Sequence, residues 1–262
     1  MEELYKKDQC AQTAQMILNA KEIVYFTGAG IGTDSGIPDY RGTGSNYWAK
    51  YNLKDFSFQE FLASEDCRRE YWRMDEEFYE LVKRSQPNDI HYCLAELEKI
   101  NKLNTIITQN VDGLHQKAGN SHDKIIEIHG NIFSVSCLHC FKDYSREEIS
   151  QLIKRGVSVP YCSFCRGILK SDTISFGQNL PEHWSAQALM ATLKSNLFIV
   201  IGSSLLVQPA SYLVVKAKEA GAKIIIINLM ATPYDMHADV VIYAHAKQVM
   251  LSIVEKIKYA LS

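Results

Sequence analysis

Short runs of apolar residues recur along this chain, separated by longer stretches in which apolar and polar positions mix at helical spacing. The runs EIVYFT (22–27), NTIIT (104–108), KIIEI (124–128), LFIVI (197–201), KIIIIN (223–228) and VVIY (240–243) are rich in β-branched residues. They are too short for helices, so each predicts a buried strand. Residues 10–20, 91–100, 209–220 and a closing segment from 247 have the period of helices. Continuous apolar strands alternating with helices imply an α/β protein whose parallel sheet is covered on both faces. Residues 38–85 are aromatic and charged without strand alternation, which predicts helices and loops. Residues 131–170 break the pattern: they show little helical periodicity and read as an insertion with its own small fold.

Parallel sheets bind ligands at the carboxyl ends of their strands, so the polar residues after each run are where chemistry is expected. After the first comes GAGIGTDSG (28–36). Glycines there let backbone N–H groups approach a pyrophosphate. Thr33 stands where a strict dinucleotide fingerprint has its third glycine, so a tight structural turn stays open as the alternative. The next residues, Ile37-Pro38-Asp39-Tyr40-Arg41, place an acid and a base beside this loop. After the second strand comes TQNVDGLH (108–115), whose four polar side chains cannot all be core packing; a solvated loop is the alternative. After the third comes EIHG (127–130). A lone histidine is usually structural, but His129 lies beside the Gln109–Asp112 loop and has a side chain that titrates near neutral pH.

Seven cysteines, at 10, 67, 93, 137, 140, 162 and 165, do not suggest a disulfide framework. Cys137-x2-Cys140 and Cys162-x2-Cys165, 21 residues apart, have the pattern of a tetrahedral structural zinc site with four thiolate ligands and no open position for catalysis. A redox role is the minor alternative, as is His139 replacing one ligand. Of 262 residues, 28 are basic and 30 acidic, so no strong field favours nucleic acid, and no basic stripe flanks the cysteines. The first ten residues mix charges of both signs without an apolar stretch, unlike a signal peptide, and no apolar run could span a bilayer. A cytoplasmic protein without membrane contact is expected.

GAGIGTDSGIPDYRG, TQNVDGLH, EIHG, the two CxxC pairs, ISFG, IGSSLLVQPA and IIIIN occur here in the order found in sirtuins, and from about Lys21 to Val249 the chain resembles that family in its short, bacterial form. The resemblance implies a Rossmann-like NAD-binding domain (1–37, 89–130 and 173–262). It also implies a smaller inserted domain made of a helical module (38–88) and a zinc-ribbon module (131–172). It implies NAD-dependent removal of acyl groups from protein lysine, giving nicotinamide, 2′-O-acyl-ADP-ribose and free lysine. By the same resemblance Gly28, Ala29, Gly30 and Thr33 would line the pyrophosphate and ribose. Asp39, Tyr40 and Arg41 would belong to a cofactor loop. Gln109, Asn110, Val111 and Asp112 would receive the nicotinamide and its ribose. Gly202, Ser203 and Ser204 would lie beneath the cofactor, with Asn228, Leu229 and Ala246 on the adenosine side. His129 would be the base, helped by Asn110 and Asp112. An acyl-lysine peptide would add as a strand between Ile174, Phe176 and Gly177 on one side and Leu205 and Val207 on the other. Tyr161, Phe164, Cys10, Cys67 and Cys93 would be packing residues.

The chain departs from the family at Gly32, where a serine is usual, at Gln178, where a glutamate is common after Phe-Gly, and at Tyr40, which replaces the commoner Phe. Members selective for acidic acyl groups carry a Tyr and an Arg three residues apart before the Pro-Asn of the next segment. Here those positions are Asp75 and Phe78, so repulsion by Asp75 predicts a neutral acyl group such as acetyl; a solvated helix face over 75–77 is the alternative. ADP-ribosyl transfer to protein, a silent NAD sensor or zinc-knuckle nucleic-acid module, and a hydride-transfer dehydrogenase are the rival functions.

Overall fold

A computed structural model describes residues 2–39, 48–51 and 57–262. In chain order these form α1 (Glu2–Asn19), β1 (Ile23–Thr27), α2 (Phe58–Ala63), α3 (Glu65–Arg84), α4 (Asp89–Lys99), β2 (Thr105–Thr108), α5 (Leu114–Ala118) and β3 (Ile125–Glu127). The inserted part follows as β4 (Ser134–Cys137), β5 (Asp143–Ser145), α6 (Arg146–Lys154) and β6 (Leu169–Ser171). The chain then returns through α7 (Glu182–Lys194), β7 (Leu197–Ile201), α8 (Leu213–Glu219), β8 (Lys223–Asn228), β9 (Val240–Tyr243) and α9 (Ala246–Leu261).

Six strands make one sheet in the order β3-β2-β1-β7-β8-β9, and all five pairings are parallel. Each of the six apolar runs is therefore a strand of this sheet. Alternate residues point to opposite faces. Tyr25, Ile106, Ile199 and Ile225 meet α1, α4 and α9 on one face. Val24, Phe26, Ile107, Phe198 and Val200 meet α7 and α8 on the other. Phe26 and Phe198 are fully buried with ring centroids 5.8 Å apart; truncating either to Ala would cost about 3–5 kcal/mol. The order reverses between β1 and β7, whose carboxyl ends separate into a crevice suited to a dinucleotide.

The inserted part holds a three-stranded antiparallel sheet, β5-β4-β6. The expectation of little helix here needs correcting, because α6 is a nine-residue helix. Its start is fixed by a capping box in which the Ser145 side chain accepts the Glu148 amide and the Glu148 carboxylate accepts the Ser145 amide. The helix lies against the buried face of α3. Arg146 at its first position is fully buried, giving Nε to Asp75 at 2.9 Å and Nη2 to Glu76 at 2.8 Å. Its guanidinium also stacks on Tyr79, 4.6 Å from the ring centroid. Trp72, Phe61 and Tyr71 fill the space between α3 and the small sheet. Smaller differences lie at element ends: α1 begins eight residues before the expected start at residue 10, and a 3₁₀ turn (Ala210–Tyr212) precedes α8. Among the described residues no helix is long and apolar enough to cross a membrane.

Candidate active site

One cleft of about 350 Å³ opens at the carboxyl ends of β1, β2, β7 and β8. Close backbone packing shapes its base. A Cβ on Gly28 or Gly30 would come within 2.8 Å of the Gly202 carbonyl oxygen, and one on Gly202, at φ +62°, within 2.8 Å of the Ile31 amide nitrogen. Glycine is therefore required on both sides of the switch point, and the crossing leaves the strand-end backbone bare toward the cleft. Ala29, Gly30, Gly202, Ser203, Ser204, Asn228 and Leu229 line this end. The cradle fits an anionic dinucleotide.

Gln109, Asn110, Val111, Asp112 and His129 line the middle of the cleft. Gln109 is held from β7, its Oε1 accepting the Ser203 hydroxyl at 3.0 Å. The Thr108 hydroxyl accepts the Asn110 amide at 3.1 Å and fixes the turn. Gln109 Nε2 and Asn110 Nδ2 are buried without a partner, the state expected of amides that await a ligand. Asp112 accepts the Leu114 amide at 2.9 Å. Burial pushes its carboxyl up to about 6, opposed by that amide and reinforced by the nearby Glu127. His129 places Nδ1 3.2 Å from the Gln109 carbonyl oxygen. A carbonyl only accepts, so Nδ1 carries the proton and Nε2 keeps its lone pair. Burial lowers the His129 pKa, partly offset by the Gln109 carbonyl, and so keeps the ring neutral and basic at neutral pH.

Away from the cleft, the sulfurs of Cys137, Cys140, Cys162 and Cys165 lie within 4.8 Å of one another. Cys137 and Cys165 are 3.5 Å apart and Cys140 and Cys162 3.6 Å, near the roughly 3.8 Å edge of a tetrahedron of zinc–thiolate bonds. The His139 and Gly167 amides each donate to a cysteine sulfur at 3.4 Å, and the Tyr144 hydroxyl lies 3.1 Å from Cys162 Sγ. Gly167 leaves room for the knuckles, since a Cβ there would stand 2.9 Å from Cys137 Sγ. The four-sulfur set fits structural zinc.

A family model described as the Sir2 family matches residues 28–209, more than half of the chain. The chain belongs to the Sir2 family. A Thermodesulfovibrio yellowstonii relative, an NAD-dependent protein deacetylase, is 38% identical over 96% of each chain. One from Rhodopseudomonas palustris of the same description is 40% identical over 88% of this chain and 90% of its own. A solved complex of Sir2 with a p53 peptide and NAD+ is 32% identical, superposes with a TM-score of 0.85, and covers 96% of this chain and 98% of that one.

Within this Sir2 fold, residues of both expected peptide segments line the cleft. They are Ile174, Phe176 and Gly177 of the first and Val207 of the second. Four of the expected cofactor and peptide residues that the structure describes are not among those lining the cleft. Leu205 is 2% exposed and packs into the core, so only its backbone could meet a peptide. Ala246, the first residue of α9, is buried in the core, and Thr33 is exposed, its hydroxyl donating to the Gly30 carbonyl. Gly28 shapes the cradle from beneath. Asp39 lines the cleft, while Tyr40 and Arg41 lie outside the described residues. Gln178 turns inward to accept the Ser175 amide at 3.1 Å and shapes the peptide segment. Phe164, expected to pack, is 77% exposed.

Both readings of Asp75 need correcting. Asp75 is 5% exposed, so it is no solvated face. It is also paired with Arg146 at 2.9 Å, so it presents no bare negative charge. Of the three acids at 75–77, only Glu77 is exposed, and it meets Lys50 and Arg73. Five cleft residues escaped the sequence reading: Trp48, Tyr71, Met74, Leu180 and Met230. For two of them the spacing Tyr71, Met74, Asp75, Phe78 was the available signal, a single helical face of α3 with an acid set among aromatic residues.

Proposed function

We propose that this chain is an NAD-dependent protein-lysine deacetylase. The observation that carries the reading is His129: a neutral imidazole, oriented by the Gln109 carbonyl, placed where the glycine cradle and the peptide segments share one cleft. NAD, when bound, would supply the anomeric carbon that takes the acyl oxygen as nicotinamide departs, and one water would replace the lysine nitrogen on the acyl carbon, so that NAD, acyl-lysine and water give nicotinamide, 2′-O-acyl-ADP-ribose and free lysine.

The chain's own residues would act around that centre. The strand-end backbone at Ala29 and Gly30, with Ser203 and Ser204 opposite, would bind the pyrophosphate and ribose. Asn228 and Leu229 would lie under the adenosine. The unpaired amides of Gln109 and Asn110 would bind and orient the nicotinamide side, and Asp112 would hold the carboxamide. His129 Nε2 would take a proton from a ribose hydroxyl. A peptide between 173–177 and 204–207 would pair through its backbone, which admits many sequences. Residues 38–88 and 131–172 would form a small domain against the NAD-binding domain of 1–37, 89–130 and 173–262. The cytoplasm is the proposed location, supported by seven cysteines that form no disulfide among the described residues.

The test is an acetyl-lysine peptide with NAD. Nicotinamide should appear in step with deacetylation, and His129→Ala should slow deacetylation by about 100-fold or more. Nicotinamide release without deacetylation would instead mark ADP-ribosyl transfer.

A further inference from the structure

The segment proposed to receive the peptide belongs to no sheet. Strand β6 ends at Ser171, and residues 172–177 continue as bends and turns. Burial does not hold its far end, since Phe176 is 53% exposed and Gly177, also exposed, has no side chain. Hydrogen bonds hold it instead. At the near end the Ile174 amide donates to the His129 carbonyl. In the middle the Gln178 amide donates to the Ser175 carbonyl at 3.0 Å, and the Ser175 amide donates to Gln178 Oε1. The far end is held from α2. The Phe58 amide donates to the Phe176 carbonyl at 2.9 Å, and Gln59 Nε2 donates to the Gly177 carbonyl at 3.1 Å. Gly177 has φ +78°, and a Cβ there would come within 2.6 Å of Gln59 Oε1. The side-chain amide of Gln59 therefore lies directly against the bare glycine.

A strand that adds to a loose edge must also order that edge, at about 1–2 kcal/mol for each backbone residue fixed. An edge held beforehand spares the peptide that cost. Ile174, Phe176 and Gly177 line the cleft, whereas Phe58 and Gln59 do not, so the two α2 residues can act on a peptide only through the segment they hold. Gln59 is exposed, and its bond adds little to global stability. We propose that Phe58 and Gln59 form a clasp from the helical module that orders the peptide-binding edge in advance, with Gln59 a positioning residue for the acyl-lysine peptide. The proposal rests on the deacetylase reading and adds to it a residue that touches neither peptide nor NAD.

The experiment compares the native enzyme with Gln59→Ala and Gln59→Glu on one acetyl-lysine peptide. Nicotinamide release gives peptide KM and kcat, and calorimetry gives the Kd of peptide and of NAD. Both substitutions remove the donor, while the glutamate keeps the length and packing of the side chain. Each should raise peptide KM and Kd about 2- to 10-fold, the range of one neutral hydrogen bond, with kcat, NAD Kd and urea-unfolding stability near native. Phe58 tests the second bond. It is the first residue of α2 and follows Ser57 at ψ 153°, a setting that accepts proline. Phe58→Pro deletes both ring and amide donor and Phe58→Ala only the ring, so proline should raise peptide KM about 2- to 10-fold above alanine. Three results would overturn the proposal: native peptide affinity in both Gln59 variants; a loss in Gln59→Ala that Gln59→Glu does not share, which would mean packing rather than donation; or an equal loss of NAD affinity, which would mean a general disturbance. Absence of turnover in the native enzyme would overturn the deacetylase reading instead, and the peptide Kd ratios would still decide the clasp.

Discussion

The carbonyl oxygen of His129 accepts the amide of Ile174 at 2.9 Å, so the proposed base and the proposed peptide-binding segment are joined by one backbone bond. The next residue makes that junction possible. Gly130 has φ +77°, and a Cβ on it would lie 1.8 Å from the Asp172 carbonyl oxygen. Gly130→Ala must therefore move both strands of the link between the large sheet and the inserted part. We expect it to cost about 3 kcal/mol or more in denaturant unfolding and to lower deacetylation by the fraction that still folds. Native stability and rate in this variant would show that the junction yields without consequence.

Asp112 predicts a pH-dependent stability. Its folded pKa, about 6, lies above the ordinary value of 3.8 because burial disfavours the charge. For an acid with a raised folded pKa, the penalty is absent below the unfolded pKa and grows until the pH passes the folded one. Asp112→Asn keeps an oxygen for the Leu114 amide and removes the charge. It should stabilise the protein at pH 7.5 by at most about 3 kcal/mol and much less at pH 4.5, while reducing turnover. Urea unfolding of both proteins at the two pH values measures this, and equal differences at both would refute it.

Which parts of this were legible in the sequence follows from which signals are local. The six strands were readable because a strand buried on both faces must be apolar at every position, as in Ile224–Ile227. The zinc knuckles were readable because ligand spacing is a local property. His129 gained its meaning only beside Gln109, which lies 20 residues away. Helix α6 was hidden because it is short, and its buried face includes Arg146, a residue that periodicity counts as polar. Asp75 was misjudged for the same reason: its partner lies 71 residues away, and no local pattern reports a long-range ion pair. The burial of the Leu205 and Ala246 side chains was not legible because a motif fixes backbone position and not the direction of a side chain.

The Arg146 pairing makes its own prediction. Removing one partner of a buried ion pair leaves the other charge uncompensated, at about 3–5 kcal/mol. Arg146→Leu, which strands Asp75 and leaves Glu76 with only Lys154 and the Ser150 hydroxyl, should fall in that range by chemical denaturation. Adding Asp75→Asn should recover part of the loss, and a double-mutant cycle reads the coupling. Strict additivity would mean that Arg146 supports α6 by packing on Tyr79 and Trp72 alone.

Metal removal should act on the inserted part first. The small core around Val135, Ile149 and Leu169 is built on the same β4 and β6 that flank the cysteines, and binding energy at such a site is folding energy. A chelator should remove one zinc per chain and expose α6 and β4–β6 to hydrogen exchange, with the six-stranded sheet still protected. Protection unchanged in metal-free protein would count against the structural assignment.

Gly32 is where this chain departs from the usual serine, and the geometry shows what a serine would do. Gly32 has ordinary right-handed backbone angles, φ −80° and ψ −16°, so a side chain is not strained. Its Cβ would sit 3.4 Å from the Ala29 carbonyl oxygen and 3.8 Å from Asp112 Oδ2, which puts a serine hydroxyl within hydrogen-bond reach of that carboxylate. A donor to the charged form lowers an acid's pKa. Gly32→Ser should therefore fold normally and pull the Asp112 carboxyl below its present value of about 6. It should also shrink the stability gained by Asp112→Asn at pH 7.5, because the buried carboxylate would no longer lack a hydroxyl donor. Titrating the Asp112 carboxyl carbon by NMR in both proteins measures the shift directly. An unchanged midpoint would mean that the serine hydroxyl turns to the Ala29 carbonyl instead, and that the glycine here serves the turn rather than the acid.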